Sequence, residues 1–391
     1  MAQTTWNQHL VKKENKAIVI NIIKEQSPIS RAEIAQKTGL NKGTVSSLVA
    51  ELIEDHLVTE SGPGVSSGGR RPVLLLFNQV AGYSIGITLE VNYILGILTD
   101  FQGNIIIEKN DPHCPQSVEE TMNQLKELIA YLIKSAPHST YGIVGISIGA
   151  PGIINKDGDI LLAPNLGWKD VSLKGELESV FRIPVLIENE ANLGAYGEKK
   201  FGSGQGIENL IYISMGIGVG SGIIINGELY KGTNGFSGEL GHMTIDTNGP
   251  KCRCGNKGCW ELYASEKALL NKVNKGKKQH YLHLDELLEL ARSSDPSVLS
   301  SFEEIGHYLG IGMINIIHTF NPEKIIIGNR MANAQAFLED QVESTIKKHI
   351  LPLYQLSTEI AFSRLPIHSS TLGASAISTE NFLNSYLFKQ E

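Results

Sequence analysis

Cys252, Cys254 and Cys259 fall within eight residues, and His242 stands ten positions ahead of the first of them. Three thiolates and one imidazole make up the donor set of a closed, tetrahedral structural zinc site. Carboxylates are interleaved with these donors, Glu239 in Ser237-Gly-Glu-Leu-Gly-His242 and Glu261 in Trp260-Glu-Leu. A metal whose ligands alternate with unused carboxylates predicts a loop folded around structural Zn2+ that presents polar groups to a ligand. Two plainer readings stay open: a reduced cluster without metal, and carboxylates that are simply solvated.

The elements that must position such a loop belong to a chain of 391 residues, long enough for two or three domains with real cores. Hydrophobic residues at 41% and charged residues at 19% are those of an ordinary globular protein. No apolar run reaches the roughly 18 residues that span a bilayer. The start, MAQTTWNQHLVKKENK, lacks the apolar core of a signal peptide. A cytoplasmic protein is therefore expected, whose clustered thiols bind metal rather than form disulfides. Cys114 stands alone and reads as a small buried hydrophobe. Residues 1–80 carry nine Lys/Arg against seven Asp/Glu, leaving 25 against 34 for the remainder. A slightly basic head on an acidic body fits a nucleic-acid module joined to something else.

Residues 1–80 read as a winged helix-turn-helix. A first helix covers about 11–26, with Ile18, Ile22 and Ile23 among its apolar positions. Ser30-Arg-Ala-Glu33 is a capping box for a second helix that turns Ile34 and Ala35 inward and ends at Gly39. Asn41 caps a third helix, in which Val45, Leu48, Val49, Leu52 and Ile53 form one buried stripe. Lys42, Gly43, Thr44, Ser46 and Ser47 are left on the outer face at its N-terminal end, small enough to lie in a major groove. Strands at Leu57–Glu60 and Val73–Phe77 flank the loop Ser66-Ser-Gly-Gly-Arg-Arg-Pro72. Its Arg70 and Arg71 form a wing that can enter a narrow minor groove. The competing reading is a three-helix packing unit with a flexible linker.

From about residue 81, β-branched strands alternate with Gly-rich turns. Tyr83–Ile87, Ile94–Thr99 and Ile105–Glu108 predict a meander, followed by a helix at Gln116–Lys134. Further strands are predicted at Tyr141–Ile148, Val185–Glu188, Leu210–Ile213, Gly222–Ile225 and Lys324–Gly328. The mixture argues for α/β lobes. Four ordered blocks, Gly149-Ala-Pro-Gly152, Pro184-Val-Leu-Ile-Glu-Asn-Glu-Ala-Asn192, Gly238-Glu-Leu-Gly-His242 and the cysteine cluster, resemble the signature of the ROK family of repressors and sugar kinases.

That resemblance spans essentially the whole chain and implies a two-lobed actin/hexokinase-like body. Lobe I then covers about 81–186 plus a C-terminal helix at about 370–391, and lobe II about 187–369. The family's sugar contacts fall on Asn165, Asn189, Glu190, Glu239, His242 and Glu261, and its zinc ligands on His242, Cys252, Cys254 and Cys259. A zinc-bound His242 has its second ring nitrogen left for a sugar hydroxyl. By their residue types alone, Asn189 is equally a helix cap and Asn165 an ordinary turn residue. Trp168 is either a core aromatic or a platform for a sugar ring.

The family's kinases carry Asp-x-Gly-Gly-Thr-Lys after the first strand, where this chain has Ile87-Thr-Leu-Glu-Val-Asn-Tyr93. Thr88 replaces the acid and Glu90-Val91 the glycine pair, so bulk and negative charge stand where phosphates would lie. Met215 in Ser214-Met-Gly-Ile-Gly-Val-Gly220, Glu190 at the catalytic Asp position and the crowded Gly328-Asn-Arg330 depart in the same direction. The expectation is a non-enzymatic repressor: a homodimer on palindromic double-stranded operator DNA. Together, Gly39-Leu-Asn-Lys-Gly-Thr-Val-Ser46, the arginine loop and Cys259-Trp-Glu-Leu-Tyr-Ala-Ser265 are most similar to family members that answer to D-xylose. The alternatives are an ATP-dependent sugar kinase with a DNA-binding head, and a repressor that answers to glucose, N-acetylglucosamine, a sugar phosphate or a partner protein. Lys231 lies near the cleft with no assigned role.

Overall fold

The computed structural model describes residues 2–63, 73–113, 117–276, 283–354 and 358–388. Arg70, Arg71, the rest of the predicted wing loop and Cys114 lie outside the described residues.

The head contains α1 (Ala2–Gln26), β1 (Ile29–Ser30), α2 (Arg31–Thr38), α3 (Lys42–Glu54), β2 (Val58–Pro63) and β3 (Val73–Phe77). Both predicted caps form. Ser30 Oγ accepts from the Glu33 backbone N–H while Glu33 Oε2 accepts from the Ser30 backbone N–H, and Asn41 Oδ1 accepts from the Thr44 backbone N–H at 2.8 Å. Strands order as β1-β3-β2. α1 extends further toward the N-terminus than the apolar pattern predicts. Its buried positions are Val19, Ile20 and Ile23, whereas Ile18 is exposed. The inward face is set by packing on α3 and β3.

The body opens with β4 (Tyr83–Leu89), β5 (Tyr93–Asp100) and β6 (Ile105–Pro112), the predicted antiparallel meander. Then come α4 (Val118–Ser135) and β7 (Ile143–Ala150). A small antiparallel sheet of β8 (Ile153–Ile154), β9 (Ile160–Ala163) and β10 (Trp168–Val171) precedes α5 (Lys174–Phe181) and β11 (Val185–Asn189). The main sheet runs β11-β7-β4-β5-β6, with β7 and β11 parallel to β4.

α6 (Glu190–Phe201) leads into β12 (Leu210–Met215), β13 (Val219–Ile225) and β14 (Glu228–Leu229). The helices α7 (Glu261–Ala264), α8 (Glu266–Asn274), α9 (Leu284–Arg292) and α10 (Pro296–Phe320) follow, then β15 (Lys324–Gly328), α11 (Gln335–His349), β16 (Glu359–Phe362) and α12 (Ser369–Phe388). Their sheet runs β14-β13-β12-β15-β16, again an antiparallel trio with two parallel additions. One topology used twice gives two lobes, each sheet carrying its own apolar core.

α6 and α12 cross between the lobes, and their backbones nearly touch. A Cβ on Gly197 would lie 1.9 Å from the Ser369 carbonyl, and one on Gly373 would lie 1.9 Å from the Leu193 carbonyl. Only glycine permits that approach. α12 also lies on β4 and β7. Its far end enters the head: Leu383 and Leu387 are buried in the same apolar cluster as Ile20, Leu48 and Phe77. Lys16 on α1 bonds Asp55 and the Tyr386 hydroxyl, and Tyr141 donates to the Asp55 carbonyl at 2.7 Å. Among the described residues no helix is long and apolar enough to cross a membrane.

Candidate functional site

All six residues expected to contact sugar line one cavity of about 80 Å³ between the two lobes. Asn165 comes from the turn between β9 and β10. Asn189 ends β11 and caps α6, its Oδ1 accepting from the backbone N–H groups of Ala191 and Asn192 at 2.9 and 3.1 Å. Its Nδ2 donates to the Gly152 carbonyl at 2.9 Å. Asn189 is thus both a cap and a cavity wall, and the cap fixes the wall. Glu190 is the first residue of α6 and Glu261 the first of α7. Gly218 makes room for two of the six: a Cβ there would come within 2.8 Å of Glu261 Oε2 and 3.1 Å of Asn165 Nδ2. Trp168 is 5% exposed and belongs to the apolar core of the first lobe, so its role is packing.

Burial raises the carboxyl pKa of Glu190 well above the usual range, and the nearby Glu90 adds to the effect. Burial also raises Glu239, opposed by His242. Glu90, on the turn after β4, is pushed up to about 7 by burial, opposed by a hydrogen bond from Asn329. A buried polar chain links these groups across the cleft. Asn329 Nδ2 donates to Glu90 Oε1 at 2.9 Å and to Ser214 Oγ at 3.0 Å, and Ser214 Oγ donates to Glu190 Oε2 at 3.0 Å. The Tyr93 hydroxyl lies 3.5 Å from Asn329 Oδ1. Sequence reasoning flagged Glu90 and the crowding at Asn329 but missed that they bond, because 239 residues separate them. It also missed Ser214 and Tyr93 as members of the chain. Met215 is fully buried in the second lobe's core and does not line the cavity.

Lys231 pairs with Glu188 Oε2, while Glu188 Oε1 accepts from Asn192 Nδ2 at 3.0 Å and from the Asn189 backbone N–H at 2.9 Å. The loop after β14 is thereby tied to the end of β11. Glu188 was not singled out from sequence, although it lies inside the block that carries Asn189 and Glu190.

The donor atoms of His242, Cys252, Cys254 and Cys259 all lie within 4.8 Å of one another. Cys254 Sγ and Cys259 Sγ are 3.7 Å apart, and Cys252 Sγ is 3.8 Å from His242 Nδ1. A tetrahedron with metal–sulfur bonds of about 2.3 Å has edges of about 3.8 Å, so the residues fit a metal of zinc's size and preference. His242 Nδ1 faces this cluster, and its Nε2 lies 3.9 Å from Glu239 Oε2 on the cavity side. Glu261 Oε1 accepts from Cys252 Sγ at 3.1 Å. The His/Cys cluster and the cavity therefore share one wall of side chains.

On the head, Lys42, Gly43, Ser46 and Ser47 are exposed at the start of α3 and Thr44 is half-buried. Val45, Leu48, Val49 and Leu52 are buried behind them, while Ile53 is only partly covered. This is the arrangement of a helix presented to a groove.

The chain matches the winged helix-turn-helix DNA-binding family over residues 17–59 and the ROK family over residues 84–381. It is 47% identical to the xylose repressor of Bacillus spizizenii, over 97% of this chain and 98% of that protein. A ROK family transcriptional regulator, a homologue of Escherichia coli Mlc, superposes with a TM-score of 0.80 at 28% identity, covering 96% of this chain and 98% of that one. A ROK family glucokinase from Streptomyces griseus, solved with glucose and AMPPNP, gives a TM-score of 0.71 at 26% identity, covering 76% of this chain and 100% of that one. By its paired lobes, its ordered motif blocks and its full-length identity to a repressor, the chain belongs to the ROK family.

Proposed function

We propose that this chain is a transcriptional repressor that binds palindromic operator DNA as a homodimer in the cytoplasm and is released by D-xylose. The observation that carries the reading is full-length identity of 47% to a xylose repressor. The division follows the sequence reading, with residues 1–80 gripping DNA and residues 81–391 sensing sugar. On the DNA side, Lys42, Gly43, Thr44, Ser46 and Ser47 meet the major groove, and Arg70 and Arg71 the minor groove. On the sugar side, each hydroxyl both donates and accepts, which suits carboxylate, amide and imidazole partners. Asn165, Asn189, Glu190, Glu239, Glu261 and the Nε2 edge of His242 supply them. Zn2+ would be held by His242, Cys252, Cys254 and Cys259, where it supplies a structural cross-link and no chemistry. His242 is oriented by that set and offers its remaining nitrogen to the sugar.

Phosphoryl transfer is disfavoured by the Glu90 carboxyl, which stands in the stretch where the family's kinases carry their phosphate-binding glycines and is held there by Asn329. Sugar binding is relayed through α6, which begins inside the cavity and crosses α12, whose other end is packed into the head. A shift at that crossing moves the heads relative to each other, and two half-sites about one helical turn apart register small displacements.

The test is fluorescence anisotropy with labelled operator DNA. Saturating D-xylose is expected to weaken binding about 5–150-fold, the range of an allosteric coupling of about 1–3 kcal/mol. Operator affinity unchanged by D-xylose, glucose and N-acetylglucosamine overturns the reading.

A further inference from the structure

We propose that Glu90, held by Asn329, is the residue that fits this pocket to a five-carbon sugar ring and turns six-carbon sugars away. The inference rests on the sugar-released reading above. It names a specificity determinant outside the six residues expected to contact sugar.

The cavity wall has two unlike parts. Glu239, His242 and Glu261 adjoin the His/Cys cluster. Glu190 is joined through Ser214 and Asn329 to Glu90, every link between 2.9 and 3.0 Å. Glu90 and Asn329 are themselves cavity-lining, so the chain of bonds is part of the wall. It also bridges the lobes, Glu90 following β4 and Asn329 following β15.

In a sugar kinase the general base stands against the hydroxyl that accepts the phosphoryl group. Glu190 occupies the position where the kinases of this family place that base. For a hexokinase-type reaction the accepting hydroxyl sits on the exocyclic sixth carbon, whereas a pentopyranose has only a ring methylene there. On that correspondence, a sugar in this cavity points this edge toward Glu190. There the pocket is reduced twice, by the extra methylene of Glu190 over aspartate and by the Glu90 carboxyl behind it. A hydroxymethyl group entering at this edge competes with the bonds from Asn329 to Glu90 and Ser214, and parting them leaves buried polar groups unpaired. Burial holds both carboxyls toward their neutral forms, which lets two acids share the wall.

The experiment is calorimetric titration of full-length protein with D-xylose and D-glucose, for wild type, Glu90→Ala and Glu90→Gln. Thermal unfolding is run on each. Glu90→Ala is expected to raise the glucose-to-xylose affinity ratio about 10-fold or more, the scale on which pockets distinguish one carbon. Glu90→Gln keeps the volume and the bond to Asn329 through its carbonyl, and is expected to restore the wild-type preference. A ratio unmoved by Glu90→Ala in a protein that still unfolds cooperatively overturns the inference, as does an equal change in Glu90→Gln. Wild type that binds glucose as tightly as xylose also overturns it. Wild type that binds neither sugar overturns the sugar-released reading beneath it.

Discussion

Glu90 and Glu190 place two buried carboxyl groups in one pocket, and such a pair has a pH signature. An acid whose folded pKa lies above its unfolded value is stabilising while protonated, and that stability is lost as pH rises from the unfolded pKa through the folded one. For Glu90 the window runs from the ordinary 4.5 to about 7. Glu190 is raised as well and acts in the same direction. Wild-type protein is therefore expected to lose more thermal stability than Glu90→Gln between pH 5 and about 7.5, a comparison that differential scanning fluorimetry makes directly. Equal slopes would place the titration elsewhere. At this scale the sequence was legible where chemistry is local: the caps at Ser30 and Asn41, and the spacing that gathers the His242–Cys259 donors beside Glu239 and Glu261. It was illegible where chemistry is made by the fold. Ser214 and Tyr93 are unremarkable residues until β12 and β5 bring them to Asn329 at the end of β15.

The loop from His242 to Cys259 has little regular structure, with two isolated β-bridges, Thr244–Cys259 and Lys251–Lys257. Its backbone bonds close tight turns, such as Cys252 N–H to the Asn256 carbonyl at 2.7 Å and Gly258 N–H to the Pro250 carbonyl at 2.8 Å, and a bound metal would cross-link those turns. Cys252→Ser is expected to lower bound zinc by about one ion per chain, measured by plasma mass spectrometry. It is also expected to weaken sugar binding at least about 10-fold, since Glu261 and His242 lose their brace. Full sugar affinity in a zinc-free variant would separate the loop from the pocket. Helices and strands with strong periodicity, such as α3 and the β4–β6 meander, were readable in outline. α1 was readable only in part, since the helix begins at Ala2, ahead of the apolar positions that marked it from about residue 11.

The DNA-reading head is not a separate bead on this molecule. Its core is completed by Phe101, Leu383 and Leu387, which belong to the body. No periodicity in residues 1–80 reveals that, since the partners arrive from the other end of the chain. Leu383→Ala is expected to cost about 2–5 kcal/mol of stability, the range for a buried leucine. Operator affinity should fall while D-xylose affinity, set about an α12 length away, changes less than about 3-fold. Paired DNA and sugar titrations check this, and equal losses in both would show a general failure of folding instead.

That shared core also sets an order in time. A ribosome adding about 5–20 residues per second needs about 15–60 s to travel from the end of β3 to Leu383. During that interval the nascent head has lysines and an exposed recognition helix but an unfinished interior. The interior beneath the DNA-facing helix is thus completed only after nearly all of the body that shares it has been made.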